Sequence, residues 1–237
     1  MTIKLNGSTA GSVALDAPAS TTGNADINFK LPVADGTSGQ AIKTDGSGNL
    51  SFGTAGNPNG MQVLEEFYVP CNGTAVTMAN GSVAIQNVTT QQTSSDTLVD
   101  VNGSEITYQP PANTKLVIYT FSTMASYDNQ STILGFQPFL DGVRLSKAPF
   151  SYRNNTYGMA LIHFQHGFRI ESTADASIGQ VTSWNSTKTI KLQFRRWSSS
   201  YSGNIHFMGE GLRVSDGLFD NNVFRMPSVG IKAIGSV

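Results

Sequence analysis

Histidine, cysteine and carboxylate side chains are the groups in this chain that could hold a metal or move a proton, and their spacing decides what they can do together. His163-Phe164-Gln165-His166 has the i, i+3 spacing that would place two imidazoles on one side of a helix. The surrounding run, Tyr157 to Ile170, alternates with period two instead. Ala160, Ile162, Phe164, His166, Phe168 and Ile170 fall on one face, and Met159, Leu161, His163, Gln165, Gly167 and Arg169 on the other. On a strand the two histidines point to opposite sides, so one ion cannot take both. His166 is expected as a hydrogen-bonded core histidine, and His163 on an outer face where only symmetry copies could add ligands. His206, out of phase with Ile205 and Phe207, is expected in solvent or at an interface. No metal and no other cofactor is expected.

Cys71 could in principle pair with a distant histidine as a nucleophile, but Pro70-Cys71-Asn72-Gly73 reads as a turn ending a strand. The sequence has no Gly-x-Ser-x-Gly elbow, no His-Glu-x-x-His and no phosphate-binding glycine loop. Glycan cleavage would need two carboxylates across a sugar bond. Candidate acids such as Asp128, Asp141, Glu171 and Asp175 sit in or beside turn sequences where acids are ordinarily solvated. The reading is therefore non-enzymatic. Two runs do mix aromatic with polar groups as a carbohydrate or receptor surface would, namely Ser151 to Tyr157 and Arg195 to Tyr201. Tyr152, Arg153, Tyr157 and Tyr201 are the candidate receptor-binding residues.

Strands must position these groups. From Met61 onward the sequence gives Val63 to Val69, Ser82 to Val88, Glu105 to Gln109, Lys115 to Met124, Ile133 to Leu140 and Val143 to Lys147. Tyr157 to Ile170, Thr187 to Trp197, Asn204 to Val214 and Ser228 to Ile234 follow. Asp141-Gly142 is a two-residue hairpin turn of the primed kind. Gln109 to Asn113 must be a loop, because its two prolines donate no ladder hydrogen bond. No segment shows capped helical periodicity or a heptad seam. The expected fold is all-β: an extended N-terminal segment with a β-hairpin, then a jelly-roll β-sandwich, with an immunoglobulin-like sandwich or small barrel as the alternative. Ile190, Leu192 and Phe194 should face the core, leaving Lys191, Gln193, Arg195 and Trp197 outward. Met159, Leu161 and Trp197 are then outward apolar groups on strands that already have a core face. They are expected at a homotrimer interface, the alternative being cover by a loop of the same chain.

Residues 1 to 60 form a different kind of sequence, small and polar, with aromatics only at Phe29 and Phe52 and a Gly/Asn/Pro run before residue 61. Within it Ile42, Leu50 and Phe52 flank Asp45-Gly46-Ser47-Gly48, a hairpin with one apolar face. Two strands alone are marginal in water, so that face needs a partner. Residues 1–60 are read as a docking segment and 61–237 as the head, with Ile42, Leu50 and Phe52 as the docking residues.

Only 13% of the 237 residues are charged, and the net charge of −1 argues against nucleic-acid binding. One cysteine allows no internal disulfide, as in a protein made in a reducing cytoplasm. Neither a signal-peptide pattern nor an apolar run of membrane-spanning length is evident, so membrane insertion is not expected.

The opening Met1-Thr2-Ile3-Lys4-Leu5-Asn6-Gly7-Ser8-Thr9, Leu31-Pro32 and the hairpin wording of residues 36 to 53 together resemble N-terminal and shaft segments of tail-fibre-like structural proteins of bacteriophages, marine ones in particular. Glu105 to Phe121 resembles a stretch in phage virion proteins whose heads look like the trimeric jelly roll of tumour necrosis factor and complement globular heads. These resemblances imply a virion protein made in the host cytoplasm, a fibre, spike or decoration. Its implied partners are its own copies, other virion proteins at capsid, neck or tail, and a host-surface glycan or protein. A soluble carbohydrate-binding module is the alternative, and a glycan depolymerase a more distant one.

Overall fold

The computed structural model of the chain describes residues 3–6, 12–15, 19–21, 23, 25–54, 60–127, 133–153, 158–200, 202–208 and 223–236. Its contacts divide into two units, Met1–Gly56 and Asn57–Val237. Both are built of strands, and no α-helix occurs among the described residues.

In the first unit Gln40–Thr44 pairs antiparallel with Leu50–Thr54, which puts Ile42 directly opposite Phe52 and Thr44 opposite Leu50. Asp45 builds the turn. Its Oδ1 accepts the backbone N–H groups of Ser47 at 2.7 Å and Asn49 at 3.2 Å, and its Oδ2 accepts the Asn49 amide at 2.6 Å. The Asn49 amide and the Ser47 backbone accordingly hold its carboxyl below the ordinary value. Gly46 and Gly48 take the left-handed backbone, φ 81° and 89°, that a side chain would oppose. A second hairpin, Ile3–Asn6 with Ser12–Leu15, lies where the sequence suggested only extended chain.

Eight strands make the frame of the second unit: β1 Gln62–Pro70, β2 Ile106–Tyr108, β3 Thr114–Tyr127, β4 Ile133–Leu140, β5 Phe150–Arg153, β6 Gly158–Arg169, β7 Lys188–Arg196 and β8 Ser228–Gly235. They pair antiparallel as β1 with β8, β2 with β7, β3 with β6 and β4 with β5. This is one long hairpin rolled upon itself. Further pairing of β8 with β3 and of β7 with β4 closes two sheets, β1-β8-β3-β6 and β2-β7-β4-β5. That connectivity is a jelly roll, in which the two sheets cover each other's apolar faces. Short strands extend the sheets: Gly203–Ile205 and Gln92–Thr93 beyond the end of β8, and Val99–Asp100 beside β7.

The core follows from period-two alternation. Val117, Tyr119, Phe121 and Ala125 of β3, Ile162, Phe164 and Phe168 of β6, and Ile190, Leu192 and Phe194 of β7 are buried. Each large apolar side chain so buried contributes roughly 1.5–3 kcal/mol. An aromatic ladder joins the sheets: Phe194 against Phe136, Phe136 stacked on Phe150 at 4.8 Å, and Phe150 on Phe164 at 5.1 Å. Two large buried side chains have their polar tips satisfied. The Tyr119 hydroxyl donates to the Ser104 carbonyl at 2.6 Å and the Trp184 indole to the Tyr108 carbonyl at 3.0 Å.

Several sequence expectations change. The strand expected over Ser82 to Val88 shortens to Gly81–Val83, and that over Asn204 to Val214 is broken at His206 and beyond Met208 lies outside the described residues. Phe150–Arg153 is a strand paired with β4, not the start of a loop, because Phe150 and Tyr152 find the core across Phe136 and Leu134. Val143–Lys147 shortens to Val143–Arg144, since Leu145 turns inward and is fully buried. The Asp141-Gly142 turn holds, with φ of 49° and 76° between paired Leu140 and Val143.

Candidate functional site

Among the described residues, the groups that might have carried chemistry are engaged in structure. Cys71 is buried, its thiol 3.3 Å from the Gly103 carbonyl, and burial pushes its pKa up to about 12, far from the range of a reactive thiolate. Asp141 accepts the Thr189 backbone N–H and pairs with Lys188 at 2.9 Å. Asp175 caps a turn at Ser177 and pairs with Lys147, and Glu171 pairs with Arg169 at 3.1 Å. Asp128 lies outside the described residues. Among the described residues no three His, Cys, Asp or Glu side chains gather as metal ligands.

The histidines separate as strand geometry requires, with one exception. His166 is half-buried, its Nε2 2.7 Å from the Ile178 carbonyl, and His163 is exposed on the outer face. His206, expected at the surface, is fully buried. A left-handed backbone at His206, φ 62°, ends one short strand and starts another, so the alternation from Ile205 does not carry through. Its Nδ1 lies 2.8 Å from the Thr123 hydroxyl, its edge meets Phe121, and its Nε2 has no hydrogen-bond partner among the described residues. Burial lowers its pKa to about 4.

Each sheet also has an outer face. On β1-β8-β3-β6 the aligned row Val63, Ile234 and Leu116 lies at one end and Met124 with Leu161 toward the other. Leu161 is 65% exposed, Val63 is also exposed, and Met159 is half-buried on the same face. Between the apolar rows runs a polar strip: Ser228 to Tyr68 at 3.1 Å, Tyr68 to Ser122 at 2.9 Å, and Ser122 Oγ to His163 Nδ1 at 2.7 Å. A serine–histidine contact is half of a nucleophile pair. Here Ser122 shares its hydroxyl with Tyr68, and no described carboxylate orients His163. The backbone around Ser122 is committed to the ladders with β6 and β8.

Trp197 does not join that face. It follows Arg195 by two residues, and its backbone N–H donates to the Ile133 carbonyl at 3.0 Å, continuing the β7–β4 ladder. Its indole, 68% exposed, therefore projects from the outer side of the opposite sheet, away from Met159 and Leu161. There β4 draws together the two aromatic-polar runs. Arg153 lies across from Ile133, and Gly135 lies between Ser151 and Arg195. Tyr152 turns to the other side of β5, against the core. Tyr157 and Tyr201 lie outside the described residues. Gly135 was missed from the sequence; an isolated glycine within a strand pattern removes a side chain from one face, and here it leaves open space.

In the first unit Ile42, Leu50 and Phe52 share one side of the hairpin. Ile42 is 58% exposed, Phe52 is exposed, and Leu50 is half-covered. Phe29, Leu31 and Val33 of the preceding stretch are exposed as well.

No protein family matches the chain, and no curated protein matches it. Among solved structures the chain has distant likenesses. One is the CBM36-1 domain of a multidomain xylanase from the hindgut metagenome of Trinervitermes trinervoides: 11% identity, TM-score 0.29, covering 70% of this chain and 96% of that one. Another is the structure of infectious bursal disease virus Gx strain: 11% identity, TM-score 0.31, covering 83% of this chain and 46% of that one. Likenesses of this strength carry nothing about function.

Proposed function

We propose that this chain is a non-enzymatic structural protein of a phage virion, a fibre, spike or decoration. Its N-terminal unit docks on the particle through Ile42, Leu50 and Phe52, and its jelly-roll head forms a homotrimer that faces the host surface. The reading is supported chiefly by one observation. The head has a complete core, yet apolar side chains remain uncovered on the outer face of β1-β8-β3-β6 and on the N-terminal hairpin. Apolar groups left together on a strand surface are covered when copies or partners assemble. Met159 and Leu161 are assigned to the subunit contact. Trp197, on the opposite sheet, is assigned instead to the outer surface, where assembly of several heads would multiply weak contacts into avidity.

The second reading is a monomeric carbohydrate-binding module, which the Trp197 and Gly135 surface favours. Light scattering on the full chain at micromolar concentration separates the two. A mass three times that of the chain is expected, and a clean monomer would remove the trimer.

A further inference from the structure

The outer face of β2-β7-β4-β5 carries an imbalance of charge that its own residues do not neutralise. On that face Lys191 has a carboxylate, from Asp100 at 2.8 Å, while Lys188 and Arg196, out of phase with it along β7, pair with Asp141 at 2.9 Å and Asp96 at 2.7 Å. Arg144, Arg153 and Arg195 have no carboxylate among the described residues. Arg144 donates through Nε to Gln137 Oε1 at 2.7 Å, and neither the Arg153 nor the Arg195 side chain has a hydrogen-bond or ion-pair partner among the described residues. All three are exposed on the same side of β4, aligned with Phe139, Ile133 and Gly135 respectively.

Two of these guanidinium groups border a cleft of about 400 Å³ lined by Leu98, Gly135, Gln137, Arg144, Ser151 and Arg195, among others. That volume is within the range of small-molecule sites. Gly135 forms its floor: a Cβ there would meet no atom within 4 Å, so the missing side chain leaves an open notch between Ser151 and Arg195. Gln137 is fixed beneath, its amide donating to the Leu145 carbonyl at 2.7 Å while its oxygen holds Arg144 in place. At the margin, roughly 7 Å along the strand from Arg195, stands the exposed Trp197.

We infer that this cleft binds an acidic saccharide, a sugar bearing a carboxylate. Arg144 and Arg195 present planar forks that match a carboxylate and bind it by charge-assisted hydrogen bonds. The open floor at Gly135 admits the ring, and Trp197 offers an aromatic plate for the apolar face of the next sugar. The inference deepens the host-surface part of the function proposed above by giving the chemistry of the ligand.

The test is isothermal titration of the full chain with oligogalacturonate, with a heparin-derived oligosaccharide of similar length and with cello-oligosaccharide. Oligogalacturonate should bind, more weakly as salt is raised, and the neutral oligomer should not. Arg195→Gln should weaken binding roughly tenfold or more. Gly135→Val should abolish it by filling the notch, while circular dichroism and the unfolding midpoint stay unchanged, since valine suits an outward strand position. Binding of the sulfated oligosaccharide alone, equal binding of the neutral one, or no binding of any would overturn the assignment. So would unchanged affinity in a folded Gly135→Val protein. Light scattering on the same samples keeps the readings apart. A trimer that binds no acidic sugar refutes this inference only, whereas a monomer that binds it refutes the assembly and not the cleft.

Discussion

Lowering the pH from 7.5 to 4.5 should destabilise the head, chiefly through His206. In the unfolded chain this imidazole takes its proton near the ordinary value of about 6.5. In the folded head burial lowers that to about 4, because the ring sits fully enclosed between Thr123 and Phe121. Below pH 6.5 the unfolded state therefore binds more protons than the folded one. Stability is fully present above that pH and is lost progressively as pH falls toward the folded value. A gap of this size corresponds to about 3 kcal/mol, a large share of the net stability of an ordinary domain. Asp96 and Asp175, held below their ordinary values by Arg196 and Ser177, titrate lower still, so their contribution disappears only at more acid pH. Urea unfolding at intervals between pH 7.5 and 4.5 measures the slope, and His206→Asn supplies the comparison. Asparagine tolerates the left-handed backbone at this site and does not titrate. The variant should start about 1–3 kcal/mol less stable at pH 7.5, from the lost ring packing, and then change much less with pH. If both proteins lose stability in parallel, the burial argument for His206 is wrong.

Cys71 should resist thiol reagents in the native protein and react only as fast as the head opens, since its thiol is buried and its pKa pushed up to about 12; rapid native labelling would contradict this. Gly179→Ala should destabilise the head by about 1–3 kcal/mol in urea titration. Its φ is +75° and an added Cβ would stand 2.7 Å from the Phe168 ring. Leu161→Glu should leave the urea midpoint within about 0.5 kcal/mol, because the side chain is 65% exposed, yet reduce the mass seen by light scattering to one chain. Serine at Ile42, Leu50 and Phe52 together should leave the head folded and trimeric while preventing incorporation into particles; normal incorporation would move the attachment surface to the head.

The strands with long period-two patterns were legible in the sequence because burial of one sheet face forces alternation. Ile133–Leu140 has the bounds expected, the faces of β6 and β7 fall as read, and Asp141-Gly142 turns the chain as its residue types require. So was the apolar side of the hairpin around Asp45. Three things were decided only in three dimensions. His206 reversed its expected environment because a single left-handed residue resets the alternation, and nothing in a sequence of neighbours marks a histidine as that residue. Phe150–Arg153 became a strand because Phe136 offers Phe150 a stacking partner from another part of the chain. Met159 and Leu161 parted from Trp197, while Gly135 came to lie between Ser151 and Arg195. Alternation tells which residues share a face of one strand; only the pairing of distant strands tells which sheet that strand joins, and so which way its outer face looks.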